Sequence, residues 1–184
     1  MFGPPENRPH GGEAVPKAPA KVAAPTVDRP AIPAAYGAGK ASEHVPWSHV
    51  EERLTADRVY WMVTVGPTGR PSVRPIDGVY LDGALYVGGS PETRWIQDLT
   101  GNPNVAVHLA SVDDVIIVEG EAQRLETMDR DLAERLAAAS NAKFPEYRQT
   151  AEVYIARGAM AIRPRKVVTW SDITRDPTRF RFDR

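Results

Sequence analysis

This chain of 184 residues contains no cysteine, so a cysteine nucleophile is excluded. Histidines, carboxylates and serines are other residue types that could support catalysis. No serine has the surroundings of a nucleophile elbow, and acidic pairs such as Asp113-Asp114 and Glu51-Glu52 are typical of solvated surface. The histidines do not have the spacing of a metal site: His10, His44, His49 and His108. We therefore predict no metal site, and the spacing of these residues identifies no catalytic side chain.

Composition excludes several further classes of protein. A chain without cysteine cannot form disulfides, thiolate nucleophiles or iron–sulfur clusters. The formal net charge is -1, from 23 basic and 24 acidic residues, which argues against a dedicated nucleic-acid-binding protein because such proteins need a net basic surface. No apolar stretch is long enough to span a bilayer, and residues 1–6 lack the basic and apolar regions of a secretory signal. We expect a cytoplasmic protein that binds neither nucleic acid nor membrane.

The first 45 residues differ in composition from the rest of the chain. Prolines alternate there with Ala, Gly, Glu and Lys, and large apolar side chains are almost missing. Such a segment buries too little surface to offset its ordering entropy, and proline removes backbone donors. We predict a disordered tail over residues 1–45, acting as a solubilising or linker segment in preference to a partner-docking one, and a single domain over residues 46–184.

Alternating apolar residues predict strands in the first half of this domain. Residues 59–65 alternate with a period of two, and a Gly-Pro-Thr-Gly turn leads into a second strand over residues 70–76. Pro71 and Pro75 remove backbone donors, so we expect this second strand to be irregular or at a sheet edge. Asp82-Gly83, between two short apolar runs, is a strong hairpin signal.

Further strands and a few helices complete the pattern. Residues 105–110, 115–118 and 159–170 have strand character, whereas residues 93–99 and 129–139 have helical spacing. Ser48 and Glu51 match a capping box, which predicts a short helix with Val50 and Leu54 on one face. We predict a mainly β or α+β fold, with about six antiparallel strands in a barrel and two or three short helices.

The order of these motifs resembles that of the pyridoxamine 5′-phosphate oxidase-like family, whose fold is the FMN-binding split β-barrel. The similarity lies in the opening hairpin (residues 60–76) and in three later segments, residues 80–86, 102–108 and 118–122. The ending Thr-Arg-Phe-Arg-Phe over residues 178–182 is similar to the Thr-Arg-Trp-Arg-Phe ending of an actinobacterial branch that includes flavin and deazaflavin users. The resemblance covers about residues 47–184.

The resemblance implies a homodimer with its cofactor, FMN or the deazaflavin coenzyme F-420, in a groove between the subunits. By position, Val73, Arg74, Pro75 and Ile76 would flank the isoalloxazine, mostly through backbone groups. Around the rest of the cofactor, the phosphate side would be served by Ser90, Thr93 and Arg94, and the opposite side of the pocket by Trp170 and Arg179. Without the resemblance, Arg74 and Arg94 would be interpreted as solvated surface arginines.

One segment departs from the family pattern. The family has roughly Ser-Arg-Lys followed by a basic residue and Asn, whereas this chain has Thr93-Arg94-Trp95 followed by Gln97 and Asp98. Losing one cationic donor to a phosphate would weaken binding by about 1–3 kcal/mol. Arg94, Arg74 and the helix start at Thr93 offer compensating donors, and Trp95 offers an alternative role in stacking on a ring.

Two functions follow from the resemblance. The first is an FMN- or deazaflavin-dependent oxidoreductase that acts on a small organic substrate, since the cofactor itself supplies the redox chemistry. The second is a non-catalytic split barrel that binds a flavin, haem or another planar ligand, suggested by the tryptophan in place of lysine. A third hypothesis, an oligonucleotide-binding barrel, is compatible with the strand pattern, but the balanced charge argues against it.

Overall fold

A computed structural model describes residues 24–37 and 41–183 as an antiparallel sheet with four helices. The helices are α1 (Trp47–Ala56), α2 (Arg94–Gly101), α3 (Arg130–Lys143) and α4 (Ala151–Arg157). The strands are β1 (Thr26–Asp28), β2 (Tyr60–Val65), β3 (Pro71–Ile76), β4 (Val79–Leu81), β5 (Ala84–Val87), β6 (Asn104–His108), β7 (Val115–Leu125), β8 (Ala159–Trp170) and β9 (Thr178–Arg181). Short 3-10 helices span Ala34–Tyr36 and Pro145–Tyr147.

The long strand β8 pairs with different strands at its two ends, so the sheet branches there. Its main path runs β1-β9-β8-β7-β6-β2-β3, and every pairing is antiparallel. Met160–Ile162 at the start of β8 pair with β5, whereas Lys166–Thr169 pair with β9. A register shift in β7 between Glu119 and Gly120 accompanies this change of neighbour. The arrangement is consistent with a split barrel and confirms the predicted fold class, with nine strands where the sequence patterns resolved about six.

The predicted hairpins are confirmed in their positions. β2 pairs with β3, and β3 has no second neighbour within residues 24–37 and 41–183, so it is the edge strand that its prolines predicted. β4 and β5 are joined by Asp82 and Gly83 with φ values of 52° and 80°, the left-handed pair that a two-residue turn requires.

Helix α1 begins differently from the capping-box prediction. Val50 and Leu54 are both buried on one face, as their spacing predicted. The helix begins at Trp47 with Pro46 as its N-cap, and no side chain caps it. Ser48 therefore lies inside the first turn, because Trp47 is drawn into the core edge by ring contacts with Phe180 and Phe182.

Two apolar clusters hold the sheet to the helices. One lies between the sheet, α1 and α2 and contains Tyr60, Met62, Ile116 and Phe180. The other joins β4, β5 and the start of β8 to α3, and contains Tyr86, Leu132 and Leu136. The segment between β7 and β8 therefore forms a helical cover over one end of the sheet. No helix in the described ranges has the length and apolar character to cross a membrane.

Part of the segment predicted as a disordered tail contributes a strand. Thr26–Asp28 form β1, which pairs with β9. Asp28 accepts two hydrogen bonds from Arg179, at 2.6 and 2.7 Å, and this ion pair fixes the strand at the sheet edge. Composition alone missed β1 because a strand of three residues, two of them exposed, carries almost no apolar signal. Residues 1–23 and 38–40 of the predicted tail lie outside the described residues.

Candidate functional site

The two arginines proposed for cofactor binding lie on different elements, Arg74 in the middle of β3 and Arg94 at the start of α2, near the turn that joins β2 to β3. On β3, the Arg74 guanidinium donates through Nη2 to Ser72 Oγ at 2.5 Å. Ser72 is the cross-strand neighbour of Thr64, whose hydroxyl donates to Asp98 Oδ2 at 3.1 Å. Asp98 Oδ1 lies 4.0 Å from Arg94 Nε. Strand β3 and helix α2 thus meet in a continuous row of polar side chains.

Arg94 remains available to a ligand, although it has a carboxylate neighbour. Its side chain is 69% exposed, whereas that of Asp98 is 3% exposed. Arg74 Nε is buried and has no hydrogen-bond partner among the described residues. Both guanidiniums therefore keep unused donors for an anion.

The residues before helix α2 form a compact turn. Thr93 precedes the helix, and its hydroxyl donates to the backbone oxygen of Ser90 at 2.7 Å. The Ser90 hydroxyl accepts from the backbone N–H of Glu92 at 3.4 Å. The hydroxyl of Thr93 is thus engaged within the turn, and the N–H groups of the first helical turn are the donors that the turn presents.

Trp95 is part of the core. It is 8% exposed and packs over Gly89, where an added Cβ would come within 2.3 Å of Trp95 Cζ2. The indole therefore fills space between α2 and the Gly-Gly segment and has little surface left for stacking on a ligand ring.

Val73 to Ile76 lie along the open edge of the sheet. Val73 and Pro75 are exposed, with 58% of Val73 accessible, while Arg74 and Ile76 on the other face are half-buried. An edge strand without a second neighbour leaves backbone N–H and C=O groups available, which suits binding through backbone groups.

A cavity of about 720 Å³ continues from the end of β3. Asp77 and Gly78 border it after β3, and Gly88 to Pro91 border it before α2. Its far wall comes from α3, α4 and the end of β7, including Phe144, Tyr154 and Arg124. The sequence patterns did not predict the cavity or its helical wall, because residues 126–158 contain no motif that marks a binding site.

Trp170 and Arg179 lie far along the sheet from these residues. Four strands, β8, β7, β6 and β2, lie between β9 and β3 in the sheet order. Hydrogen bonding and charge from Arg179 hold the pKa of Asp28 below its ordinary value, so this arginine is engaged in an ion pair. Within one chain, these two residues are not brought together with Val73 and Arg94.

One face of the sheet carries residues in cross-strand register that are half-buried, apart from the exposed Pro75 at the edge. Pro75, Trp61, His108, Ile117, Val168 and Arg179 are successive partners across β3, β2, β6, β7, β8 and β9, a set we call the outer row. Directly opposed residues point to the same face. The alternate residues on these strands, such as Met62 and Val167, are fully buried. The outer row is therefore the less covered face of the sheet.

Comparison with known proteins identifies the family. The family model described as pyridoxamine 5′-phosphate oxidase matches residues 47–171. The chain belongs to this family. No curated protein matches the chain in sequence.

Solved structures similar to this member of the pyridoxamine 5′-phosphate oxidase family support the fold. A conserved hypothetical protein from Mycobacterium tuberculosis aligns with a TM-score of 0.57 and 15% identity, covering 73% of this chain and 89% of that one. A protein from Mesorhizobium loti, described as FAD-binding, aligns with a TM-score of 0.52 and 19% identity, covering 76% of this chain and 96% of that one. A haem-binding protein from Mycobacterium smegmatis aligns with a TM-score of 0.52 and 18% identity, covering 69% of this chain and 55% of that one. At these identities the likeness shows the fold alone.

The residues present fit a planar cofactor better at its ring than at its phosphate. A cavity of about 720 Å³ beside an open strand edge lies in the size range of small-molecule sites. Arg74 Nε, which is buried and has no partner in the described part of the chain, adds a donor on that strand. At the phosphate end, Arg94 and the start of α2 supply positive potential, and the carboxylate of Asp98 offsets part of it.

Proposed function

We propose that this chain is a flavin- or deazaflavin-dependent oxidoreductase that acts on a small organic substrate at a homodimer interface. The observation that carries the proposal is the open edge of β3, which leads into a cavity at its end, with Arg74 on β3 linked through Ser72, Thr64 and Asp98 to Arg94 on α2. The family assignment and the description of one structural neighbour as FAD-binding support it. The proposal includes a cytoplasmic location, with which the absence of cysteine is compatible.

The protein's own contribution would be binding and positioning. FMN or the deazaflavin, when bound, supplies the hydride chemistry. Val73 to Ile76 would border the ring through backbone groups, and Arg94 with the first turn of α2 would hold the phosphate. The aromatic wall from α3 and α4 would exclude water from the reacting face.

A second copy of the chain would complete the site. The outer row includes the half-buried apolar side chains of Trp61, Ile117 and Val168, and such a surface is stabilised when it is covered. Trp170 and Arg179 lie at the opposite end of the sheet from β3, so only a partner subunit could bring them to the cofactor. The homodimer in our proposal rests on these two arrangements.

An absorbance spectrum of the protein as isolated, followed by titration with FMN and with coenzyme F-420, tests the proposal. We expect one cofactor to bind and to be reduced when a reducing substrate is added. Arg94→Ala should weaken that binding by about tenfold to a hundredfold, because a charge-assisted donor is lost. Arg130→Ala, which alters an exposed arginine on α3, is the matched control and should leave the affinity unchanged. A folded protein that binds neither cofactor would overturn the proposal.

The buried acid beside Arg94 favours a second candidate, a non-catalytic barrel that binds a flavin, haem or another planar ligand. Asp98 offsets the charge that a phosphate needs, and a ligand without a phosphate would not be affected by it. A structural neighbour is described as haem-binding. Titration with haemin separates the two candidates: a Soret band that develops at one haem per chain, together with no flavin binding, would favour this one.

A further inference from the structure

We propose that the cavity walled by α3 and α4 is the substrate pocket and that it selects a small organic anion with a flat, unsaturated body. The assignment as a substrate pocket rests on the proposed oxidoreductase function, whereas the selection of an anion rests on the cavity's own side chains. Tyr86, Arg124 and Arg157 supply its donors, and Phe144, Tyr147 and Tyr154 supply its aromatic wall.

Two buried donors in this cavity lack partners among the described residues. The hydroxyl of Tyr86 is one, although the residue is only 2% exposed, and Arg124 Nη1 is the other. Burial raises the pKa of Tyr86, with a smaller contribution from the nearby charge of Asp82, so its hydroxyl stays protonated and can donate. Buried polar groups in native proteins are almost always hydrogen-bonded, so these two donors indicate an acceptor that binds between the protein walls.

The remaining donors of Arg124 fix its position without removing its charge. Nη2 donates to the backbone oxygen of Arg157 at 2.6 Å, which ties the end of β7 to the end of α4. Nε lies 3.4 Å from a carboxylate oxygen of Glu126, a side chain that is 78% exposed while that of Arg124 is 19% exposed. A carboxylate so well solvated offsets little of a neighbouring charge. Arg124 is thus a held cation whose Nη1 keeps an unused donor among the described residues.

The other charged groups of the lining lie nearer to solvent. Asp77 is exposed and forms a hydrogen bond with Tyr147, which is also an exposed residue. Arg157 is exposed and adds a second cation on the α4 side. The buried part of the cavity therefore holds hydrogen-bond donors. Of the two acidic residues in the lining, Glu126 is exposed to solvent and Asp77 is hydrogen-bonded to Tyr147.

The shape of the wall indicates the body of the ligand. Phe144 is 3% exposed: its ring stacks on Tyr147, with centroids 5.1 Å apart and an interplanar angle of 13°, and Arg58 Cζ lies 4.6 Å from its centroid. The accessible aromatic surface of the wall therefore comes mainly from Tyr147 and Tyr154. The Tyr154 hydroxyl hydrogen-bonds Ser140, which leaves the face of its ring to the cavity. Flat rings pack against such surfaces with favourable geometry, so a conjugated or aromatic carboxylate matches both the wall and the donors.

Calorimetric titration of the full-length protein with benzoate and with benzamide, its neutral analogue of the same shape, tests this selection. We expect benzoate to bind at least tenfold more tightly than benzamide. Arg124→Met should remove that preference and Tyr86→Phe should reduce it severalfold, while Arg130→Met on the exposed face of α3 should leave it unchanged. Circular dichroism on each variant checks folding, and Tyr86→Phe, which removes a single oxygen, keeps the test valid if Arg124→Met does not fold. Equal binding of the two probes would overturn the proposal.

Repeating the benzoate titration with saturating flavin separates this inference from the cofactor assignment. Benzoate that still binds to the flavin-loaded protein supports a substrate pocket. Benzoate that is fully displaced by flavin overturns it, because the arginines would then serve the cofactor's phosphate. If no flavin binds but the benzoate preference depends on Arg124, the redox function fails and the anion selection stands.

Discussion

A buried carboxylate lies beside the arginine that we propose to hold a phosphate. Asp98 is 4% exposed, and its contacts are the hydroxyl of Thr64 and the guanidinium of Arg94. The hydrogen bond from Thr64 ties α2 to β2. Within α2, the Arg94–Asp98 pair supplies a counter-charge, since an unpaired buried charge would strongly destabilise the fold. The same pair weakens the potential that an incoming phosphate meets, so one residue serves stability and opposes anion binding.

Replacing Asp98 by asparagine should therefore raise the affinity for FMN by about tenfold, because Arg94 keeps its charge and loses its counter-charge. The asparagine amide oxygen can still accept the hydrogen bond from Thr64, which limits the loss of stability. Fluorescence quenching of FMN on titration with the protein measures the change. Asp113→Asn, on an exposed loop, is the control and should not alter the affinity. An unchanged or lower affinity in Asp98→Asn would contradict the role assigned to Arg94.

The lysine missing at position 95 is a less useful target. Trp95 fills core space over Gly89, so Trp95→Lys would remove a large buried side chain and destabilise the protein by about 3–5 kcal/mol. A loss of FMN binding in that variant would report unfolding and would say little about the phosphate.

Lys143 gives a pH dependence of stability with a defined sign. Burial lowers the pKa of Lys143 to about 8, and its ammonium donates to the Tyr60 hydroxyl at 2.6 Å. Between pH 8 and the unfolded pKa of about 10.5 the unfolded chain binds more protons, so stability rises with pH across that window. Above pH 10 the raised pKa of Tyr60 acts in the opposite direction.

Urea unfolding of the wild type and of Lys143→Met from pH 7 to pH 10 measures this effect. The wild type should gain about 1 kcal/mol relative to the variant over the window, a value reduced by solvent screening of a half-buried group. Lys143→Arg, which cannot lose its proton, should lack the gain as well. Parallel curves for wild type and Lys143→Met would show that this lysine titrates normally.

At the scale of elements, a glycine in β7 permits the change of neighbour along β8. A Cβ at Gly120 would lie 2.2 Å from the backbone oxygen of Arg163, at the point where the β7–β8 register shifts. Gly120→Ala must displace backbone, so we expect a loss of about 2–4 kcal/mol in the free energy of unfolding. Gly101→Ala is the matched control: nothing lies within 4 Å of its added Cβ at the end of α2, and helix propensity predicts a gain of about 0.5–1 kcal/mol. Equal effects in the two variants would mean that the bulge tolerates a side chain.

The elements that the sequence predicted are those with a local cause. Pro71 and Pro75 act on their own strand, and Asp82-Gly83 acts on its own turn, so the edge strand and the hairpin followed from the residues themselves. Strand β1 and the first residue of α1 depend on partners far along the chain, Arg179 and Phe180. Such long-range contacts leave no periodic signal, which explains why both were missed.

At the scale of the whole molecule, the candidate site was predictable in part. The resemblance supplied Arg74 and Arg94, and the structure links them through a row of polar side chains, Ser72, Thr64 and Asp98. The cavity wall could not be predicted, because Tyr86, Arg124 and Phe144 meet only when β5, β7 and α3 are folded together. Trp170 and Arg179 stay apart from the hairpin in a single chain, so their predicted role depends on how two chains associate.

That dependence makes the oligomeric state the decisive property of the molecule. Val168 lies in the middle of the outer row, between Ile117 and Arg179, and is half-buried. A glutamate there would place a charge inside a covered apolar interface, where desolvation costs several kcal/mol. We expect the wild type to sediment as a dimer and Val168→Glu as a monomer. Val112→Glu, at a loop residue that is 83% exposed, should remain dimeric.

The same variants link assembly to cofactor binding. If two chains together form the cofactor slot, Val168→Glu should lose flavin affinity in proportion to its loss of dimer, and raising the protein concentration should restore both. Val112→Glu should keep both properties. A folded Val168→Glu monomer that binds flavin as tightly as the wild type would show that one chain suffices, and it would remove Trp170 and Arg179 from the site while leaving the cavity between β5, β7 and α3 as the place where a substrate binds.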